Sequence, residues 1–193
     1  MKLGVVSDIH CNLAALEEAL RLMGDVDELL CLGDCIRQSK FSNEVIGLLK
    51  DRGARMVLGN HDVDYLRHLA NASSQRGVVD DALVDWLRAQ PEQVELEVAG
   101  KRLIMVHSTP WTRDYVYPAS RDMRRFAEVD ADFVLGGHTH AQVARRIGRA
   151  MVVNPGSTGE TMQGPDGLRF GCAVIDVATD GVELLLYPEQ GRT

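Results

Sequence analysis

Leu3-Gly4-Val5-Val6-Ser7-Asp8-Ile9-His10 is the stretch on which the reading of this chain turns. Residues 3–7 read as a short apolar strand, and its exit carries an acid and a histidine two residues apart. Leu13, Leu16, Leu20 and Met23 then recur at helical spacing, with Asn12 placed as N-cap. The unit repeats. Residues 29–32 form a second strand followed by Gly33-Asp34, and Ser42 caps a helix carrying Val45, Ile46 and Leu49 that ends near Gly53. Residues 55–58 form a third strand, followed by Gly59-Asn60-His61-Asp62. Strands alternating with helices imply parallel sheet, whose ligands gather beyond the carboxyl ends of the strands. Asp8, Asp34 and Asn60 are thereby expected at one sheet edge.

The second half continues the pattern with more antiparallel character. Helices are expected over 62–72 and 80–88, the latter ending before Pro91. Strands 94–98 and 103–106 flank Ala99-Gly100-Lys101-Arg102 as a hairpin, with His107 at its exit. A helix over 121–128 leads to a strand at 133–135, whose end presents Gly137-His138-Thr139-His140. Five strand ends converge in this reading. Residues 143–147, 151–153, 170–177 and 182–186 read as antiparallel strands joined by Gly-containing turns. Without repeat or linker, residues 1–193 are read as a single domain.

Composition is that of an ordinary globular chain, 45% hydrophobic and 25% charged. The net charge of −7 is opposite in sign to a phosphate-binding surface and argues against nucleic acid as a partner. Arg121, Arg124 and Arg125, and again Arg145, Arg146 and Arg149, are the local concentrations of positive charge. The N-terminus carries no signal-peptide pattern, and no apolar run approaches the roughly 18 residues of a spanning helix, so a cytoplasmic protein without membrane partners is expected. Cys11, Cys31, Cys35 and Cys172 form no regular framework and are expected as reduced thiols. Cys31 and Cys172 fall in apolar runs and belong to the core, whereas Cys11 and Cys35 adjoin motifs as oxidisable positions.

Five of the six histidines lie in motifs with Asp, Asn and Gly: Asp8-Ile9-His10, Gly59-Asn60-His61-Asp62, His107 and Gly137-His138-Thr139-His140, with Gly33-Asp34 between them. Each alone has an ordinary reading, since Asp after a strand caps helices, Gly-Asp makes turns and single histidines pack in cores. Together they form a ligand set for two metal ions. Imidazole suits a borderline transition metal and carboxylate can bridge two cations, so the mixture reads as a binuclear hydrolytic centre. His61 and Asp62 offer an acid/base pair beside it.

The series Asp-x-His, Gly-Asp, Gly-Asn-His-Asp, His and Gly-His-x-His resembles that of the calcineurin-like metallophosphoesterases, and Asn154-Pro155-Gly156-Ser157 is similar to the small bacterial and archaeal phosphodiesterase branch. The resemblance implies an α/β (α+β) fold, a four-layer αββα sandwich of two mixed β-sheets flanked by helices. It implies two divalent cations, one held by Asp8, His10 and His140 and the other by Asn60, His107 and His138, with Asp34 bridging. Mn2+ or Fe is preferred, while Zn2+, Ni2+, Co2+ and Mg2+ are compatible. A metal-bridging hydroxide would attack a small phosphodiester in line, the substrate being a nucleotide or cyclic nucleotide among others. His61 would stabilise or protonate the leaving oxygen, with Asp62 orienting its ring. The alternatives are a phosphomonoesterase or protein phosphatase, a nuclease, and a non-catalytic metal-binding scaffold such as the related retromer subunit.

The chain departs from that branch at two points. Cys11 stands where Gly is usual after Asp-x-His, and Thr158-Gly159-Glu160 follows Ser157 where a Pro-Arg pair is common. Arg37, three residues beyond Asp34, is instead the candidate contact to a phosphate oxygen. Trp111, Tyr115 and Tyr117, in the loop after His107, are candidate stacking surfaces for a nucleobase or aryl leaving group. Antiparallel edge strands near the C-terminus offer a route to a homo-oligomer.

Overall fold

The computed structural model describes residues 1–69, 79–112, 114–115 and 122–188. Strand β1 (Lys2–Val6) pairs in parallel with β2 (Glu28–Cys31), which pairs in parallel with β3 (Arg55–Met56). On its other side β1 runs antiparallel to β10 (Gly167–Asp176), which also pairs with β9 (Met162–Gly164) and β11 (Gly181–Pro188). The second sheet has parallel strands β5 (Lys101–Val106), β6 (Phe133–Leu135) and β8 (Ala150–Asn154), edged by antiparallel β4 (Gln93–Val98) and β7 (Val143–Ile147). Both sheets are mixed, and each is built around three parallel strands.

Period-two alternation assigns the faces. Leu3 and Val5 of β1, Leu30 of β2, and Ala173 and Ile175 of β10 point between the sheets, where they pack with Leu103, Met105, Phe133, Leu135 and Val153 of the second sheet. Val6, Cys31, Met56 and Cys172 point the other way, into a cluster with helix residues Leu16, Ala19, Val45, Ile46, Leu49 and Leu87. Those residues belong to α1 (Leu13–Met23), α2 (Asn43–Asp51) and α4 (Asp81–Arg88), whose first turns are capped by side-chain oxygens of Asn12, Ser42 and Asp80. A third cluster, on the outer face of the second sheet, joins Ile104, Val134 and Val152 to Phe126 of a 3-10 helix (Asp122–Glu128). Helices, sheet, sheet and helix follow in that order, as the family resemblance implied.

Several element bounds differ from the sequence expectation. The third strand has ladder pairing only at Arg55 and Met56, although Val57 N–H still donates to the Cys31 carbonyl. Helix α3 (Asn60–Leu69) starts two residues earlier than expected, and the expected extension over 70–72 lies outside the described residues. The hairpin turn is only Ala99-Gly100, with Lys101 and Arg102 already paired to Val98 and Glu97. The segment expected as a helix over 121–128 is a 3-10 helix, and β9 was not anticipated.

Phe133 is fully buried between the sheets. Phe133→Ala should destabilise the fold by about 3–5 kcal/mol through lost burial and a residual cavity, read as a lower urea midpoint with an unchanged slope.

Candidate metal centre

The carboxyl ends of β1, β2 and β3 and those of β5 and β6 meet along one edge of the sandwich. Two sheets, rather than the one sheet edge read from the sequence, therefore supply the site. Asp8 and His10 follow β1, Asp34 follows β2, Asn60 opens α3 after β3, His107 follows β5, and His138 and His140 follow β6. Of the nine described non-glycine residues with positive φ, five are among these seven: Asp8, His10, Asp34, His138 and His140. Such backbone is costly for L-residues and persists where the surroundings enforce it, a pattern typical of functional sites.

Close backbone approach explains two of the glycines. A Cβ on Gly59 would lie 2.1 Å from Asp34 Oδ1, and one on Gly137 would lie 1.9 Å from Ser7 Oγ and 2.6 Å from Asp8 Oδ2. These contacts let helix α3 and the Gly-His-x-His loop close directly onto the two carboxylates.

Asp8 is fully buried; its Oδ2 accepts from Ser7 Oγ at 2.6 Å and from His138 N–H at 3.1 Å. Its other oxygen, Oδ1, lies 3.2 Å from His140 Nε2, which lies 3.4 Å from His10 Nε2. A cation about 2.1 Å from each of its donors separates neighbouring donors by about 3–3.4 Å, so these three atoms have the spacing of a shared coordination sphere. Asp34, His107 and His138 form a second group, and His10, Asp34 and His61 a third, with donor atoms within 4.8 Å of one another in each. Asp34 thus reaches both sides of the cluster.

Orphaned atoms support the fit. Among the described residues, Asp8 Oδ1, Asn60 Oδ1 and His107 Nε2 are buried without a hydrogen-bond partner, as is Thr109 Oγ1 nearby in sequence. Three of these four are candidate ligand atoms, and a buried polar atom left without a partner is unfavourable. His107 also has its tautomer set, because Nδ1 donates to the Leu32 carbonyl at 2.7 Å and leaves Nε2 facing Asp34 Oδ2 at 3.2 Å.

Electrostatics follow from burial and neighbours. Burial alone would lower the His107 pKa, but close contact with the charged Asp34 carboxylate, with Asp8 behind it, raises it to about 9. For Asp34, burial opposes ionisation, yet contact with His107 and the His61 N–H holds its pKa below the usual value. Burial lowers the pKa of His10 and of His138, while the Asp8 contact raises that of His140.

Asp62 does not orient the His61 ring as expected. Its fully buried carboxylate accepts from the N–H groups of Gly59 at 2.9 Å, Asp34 at 2.8 Å and Ile36 at 3.2 Å. With Gly59 at the N-cap, Asp62 occupies the third helical position and reaches back as the acidic half of a capping box. Burial and the charge of Asp34 push its pKa up to about 7. Adjacent helical residues point in different directions, which is why His61 instead turns toward the cluster, edge-on to His10 with ring centroids 5.1 Å apart. His61 Nδ1 accepts from Gln38 N–H at 3.4 Å.

The substrate-contact expectations divide. Tyr115 lies beside the cluster, its ring 5.8 Å from that of His107, with its hydroxyl donating to Glu92 Oε2 at 3.1 Å. Trp111 is not presented as a stacking surface: its ring packs edge-on against Phe126 at 4.8 Å and carries Arg125 at 4.4 Å, as part of the outer apolar cluster. Tyr117 lies outside the described residues. Arg37 is held by Glu160, with Nη2 2.5 Å from Oε1. Of the two positions read as oxidisable, Cys35 is fully buried, with Sγ 3.3 Å from Cys31 Sγ, whereas Cys11 is partly exposed. Glu160 itself was missed, although it follows β8, another parallel strand end.

The sequence matches the calcineurin-like phosphoesterase superfamily domain over residues 1–180. This chain belongs to that superfamily. It is 26% identical to an uncharacterized protein of Methanocaldococcus jannaschii over 84% of this chain and 78% of that one. It is 34% identical to the symmetrical bis(5'-nucleosyl)-tetraphosphatase of Paracidovorax citrulli over 68% of this chain, and the match spans only about half, 53%, of that protein. A metallophosphoesterase structure from Sphaerobacter thermophilus superposes with a TM-score of 0.76 at 21% identity, covering 97% of this chain and 89% of that one.

With a pKa of about 9, His107 is protonated at neutral pH in the metal-free protein and must lose that proton to offer Nε2 to a cation. Metal binding should therefore release a proton near pH 7, and affinity should rise by up to about tenfold per pH unit until about pH 9. Calorimetry in buffers of different ionisation enthalpy measures this directly, and buffer-independent heats would contradict it.

Proposed function

We propose that this chain is a two-metal phosphodiesterase acting on small phosphate esters. The observation that carries this reading is the convergence of Asp8 Oδ1, His10 Nε2 and His140 Nε2 beside Asp34, His107 and His138, with buried acceptor atoms left over. Asp8, His10 and His140 would hold one divalent cation, Asn60, His107 and His138 the other, and Asp34 would serve both. Such a pair supplies charge neutralisation at the phosphoryl oxygens and a more acidic water when bound. Mn2+ or Fe is preferred on family grounds, because His, Asn and Asp donors also accept Zn2+, Ni2+, Co2+ or Mg2+.

The protein's own groups do the rest. Burial of Asp8 and Asp34 strengthens each charge interaction they make. His61, partly exposed beside His10, is placed to give a proton to the leaving oxygen. Its backbone N–H donates to Asp34 Oδ1 at 2.8 Å, so the acid and the shared carboxylate keep a fixed relation. Asp62 acts through position alone, tying together the loops that carry Asp34 and Asn60.

A small diester is favoured over nucleic acid by the arrangement of charge. Arg146 pairs with Asp180 at 3.0 Å, while Arg149 pairs with Asp130 and Asp132 at 2.9 and 3.0 Å, so neither offers an uncompensated strip for phosphates. The tetraphosphatase relative adds dinucleoside polyphosphates to the substrates worth testing. Among the described residues, no helix is long and apolar enough to cross a membrane. We place the protein in the cytoplasm, as one catalytic domain, with a homo-oligomer left as a secondary reading.

After chelation and return of Mn2+, the protein should cleave bis-p-nitrophenyl phosphate faster than p-nitrophenyl phosphate, and Asp34→Asn should abolish both activities. Diadenosine tetraphosphate belongs in the same assay. His61→Ala should lower turnover by about 10²–10⁴-fold while metal content, measured by elemental analysis, stays near wild type. Matching losses of metal and activity would make His61 a ligand instead.

A further inference from the structure

The segment after β8 is stitched onto the first ligand loop. Thr158 N–H donates to the Ser7 carbonyl at 2.8 Å and Gly159 N–H to the Asp8 carbonyl at 3.0 Å. Ser157 Oγ donates to that same Asp8 carbonyl at 2.8 Å and accepts from Glu160 N–H at 2.8 Å. Asn12 Nδ2 donates to the Gly159 carbonyl at 3.0 Å, and a Cβ on Gly159 would fall 1.7 Å from the Ile9 carbonyl oxygen. Backbone contact this tight fixes where the next side chain emerges.

That side chain is Glu160. Its Oε1 lies 2.5 Å from Arg37 Nη2 and its Oε2 lies 3.8 Å from His140 Nδ1, the nitrogen facing away from Asp8. Arg37 is 51% exposed and Glu160 35% exposed, so the pair stands at the open side of the cluster. Arg37 comes from the loop after β2, which also contacts His61 through Gln38 N–H. A cation that would otherwise be open to an incoming phosphate is thus neutralised by an acid, and the acid adds a negative charge beside a candidate ligand. Coulomb repulsion grows with the charge of the arriving group, so the arrangement penalises a dianionic phosphate more than a monoanionic one.

We propose that Glu160 is a specificity-determining residue that disfavours dianionic phosphate groups by engaging Arg37 and placing its own carboxylate beside His140. The inference rests on the reading of this cluster as a phosphoesterase site and adds a charge rule for its substrates: monoanionic diesters over dianionic monoesters. Glu160 acts on entry and binding, and the reacting atoms are left to the groups already named.

The test uses the Mn2+-loaded full chain and two readouts. In the first, inorganic phosphate, largely dianionic at about pH 8, is titrated by calorimetry into wild type, Glu160→Gln, Glu160→Asp and Glu160→Gln/Arg37→Met at low and high salt. Glu160→Gln should tighten phosphate by about fivefold at low salt, less at high salt, with metal content unchanged. Glu160→Asp should stay near wild type, and adding Arg37→Met should remove most of the gain. In the second, Glu160→Gln should raise kcat/KM for p-nitrophenyl phosphate relative to bis-p-nitrophenyl phosphate by a similar factor, carried mainly in KM. Unchanged or weaker phosphate binding in Glu160→Gln, or loss of metal, would overturn the proposal and leave Glu160 as a support for His140. An inactive wild type whose phosphate affinity still rises in Glu160→Gln would instead overturn the proposed hydrolysis and retain the charge rule.

Discussion

Three carboxylates, Asp8, Asp34 and Asp62, are almost completely buried within one region of the molecule. Buried negative charge is strongly unfavourable unless donors or cations compensate it, and the surrounding structure is organised around that requirement. Asp62 is satisfied by three backbone N–H groups, and Asp34 takes the His61 N–H at the start of α3, where the helix dipole also favours an anion. Asp8 uses one oxygen for Ser7 and the His138 N–H and keeps the other toward two imidazoles. What the backbone cannot supply, bound cations would.

The sandwich makes this density of polar groups possible. Six parallel strands, three in each sheet, end along the same edge, so loops from distant parts of the sequence meet without any one of them having to be long. The apolar layer between the sheets holds the strand ends in register, and the glycines at 59 and 137 allow the loops to touch. Positive φ at five candidate ligands shows the local backbone yielding to the geometry of the cluster rather than to its own preference. Cys11 shares that conformation, which is costly for a residue with a side chain and would be relieved by glycine.

Around this centre the charges form two shells with different purposes. Asp8, Asp34, His10, His107 and His138 are buried, whereas Arg37 and Glu160 sit partly in solvent, where their interaction is weaker and open to exchange with a ligand. Arg146 of β7 and Arg149 of the β7–β8 turn are paired with the surface acids Asp180, Asp130 and Asp132.

The sequence by itself determined the alternation of elements, the strand ends that carry ligands, and the identity of the clustered residues, because each of these is local: apolar periodicity, capping side chains and His/Asp/Asn types within a few positions. It also carried enough motif to imply the two-sheet sandwich through family resemblance. Tertiary structure alone decided that Asp62 serves backbone N–H groups instead of His61, that Trp111 packs beneath the 3-10 helix, that Cys35 is sealed against Cys31, and that Glu160 reaches both Arg37 and His140. Those outcomes depend on partners 3 to 123 residues away, counting from Gly59–Asp62 to Arg37–Glu160. Which of several competent partners a side chain meets is set by how two packed sheets bring their loops together, and that distance information is absent from local spacing.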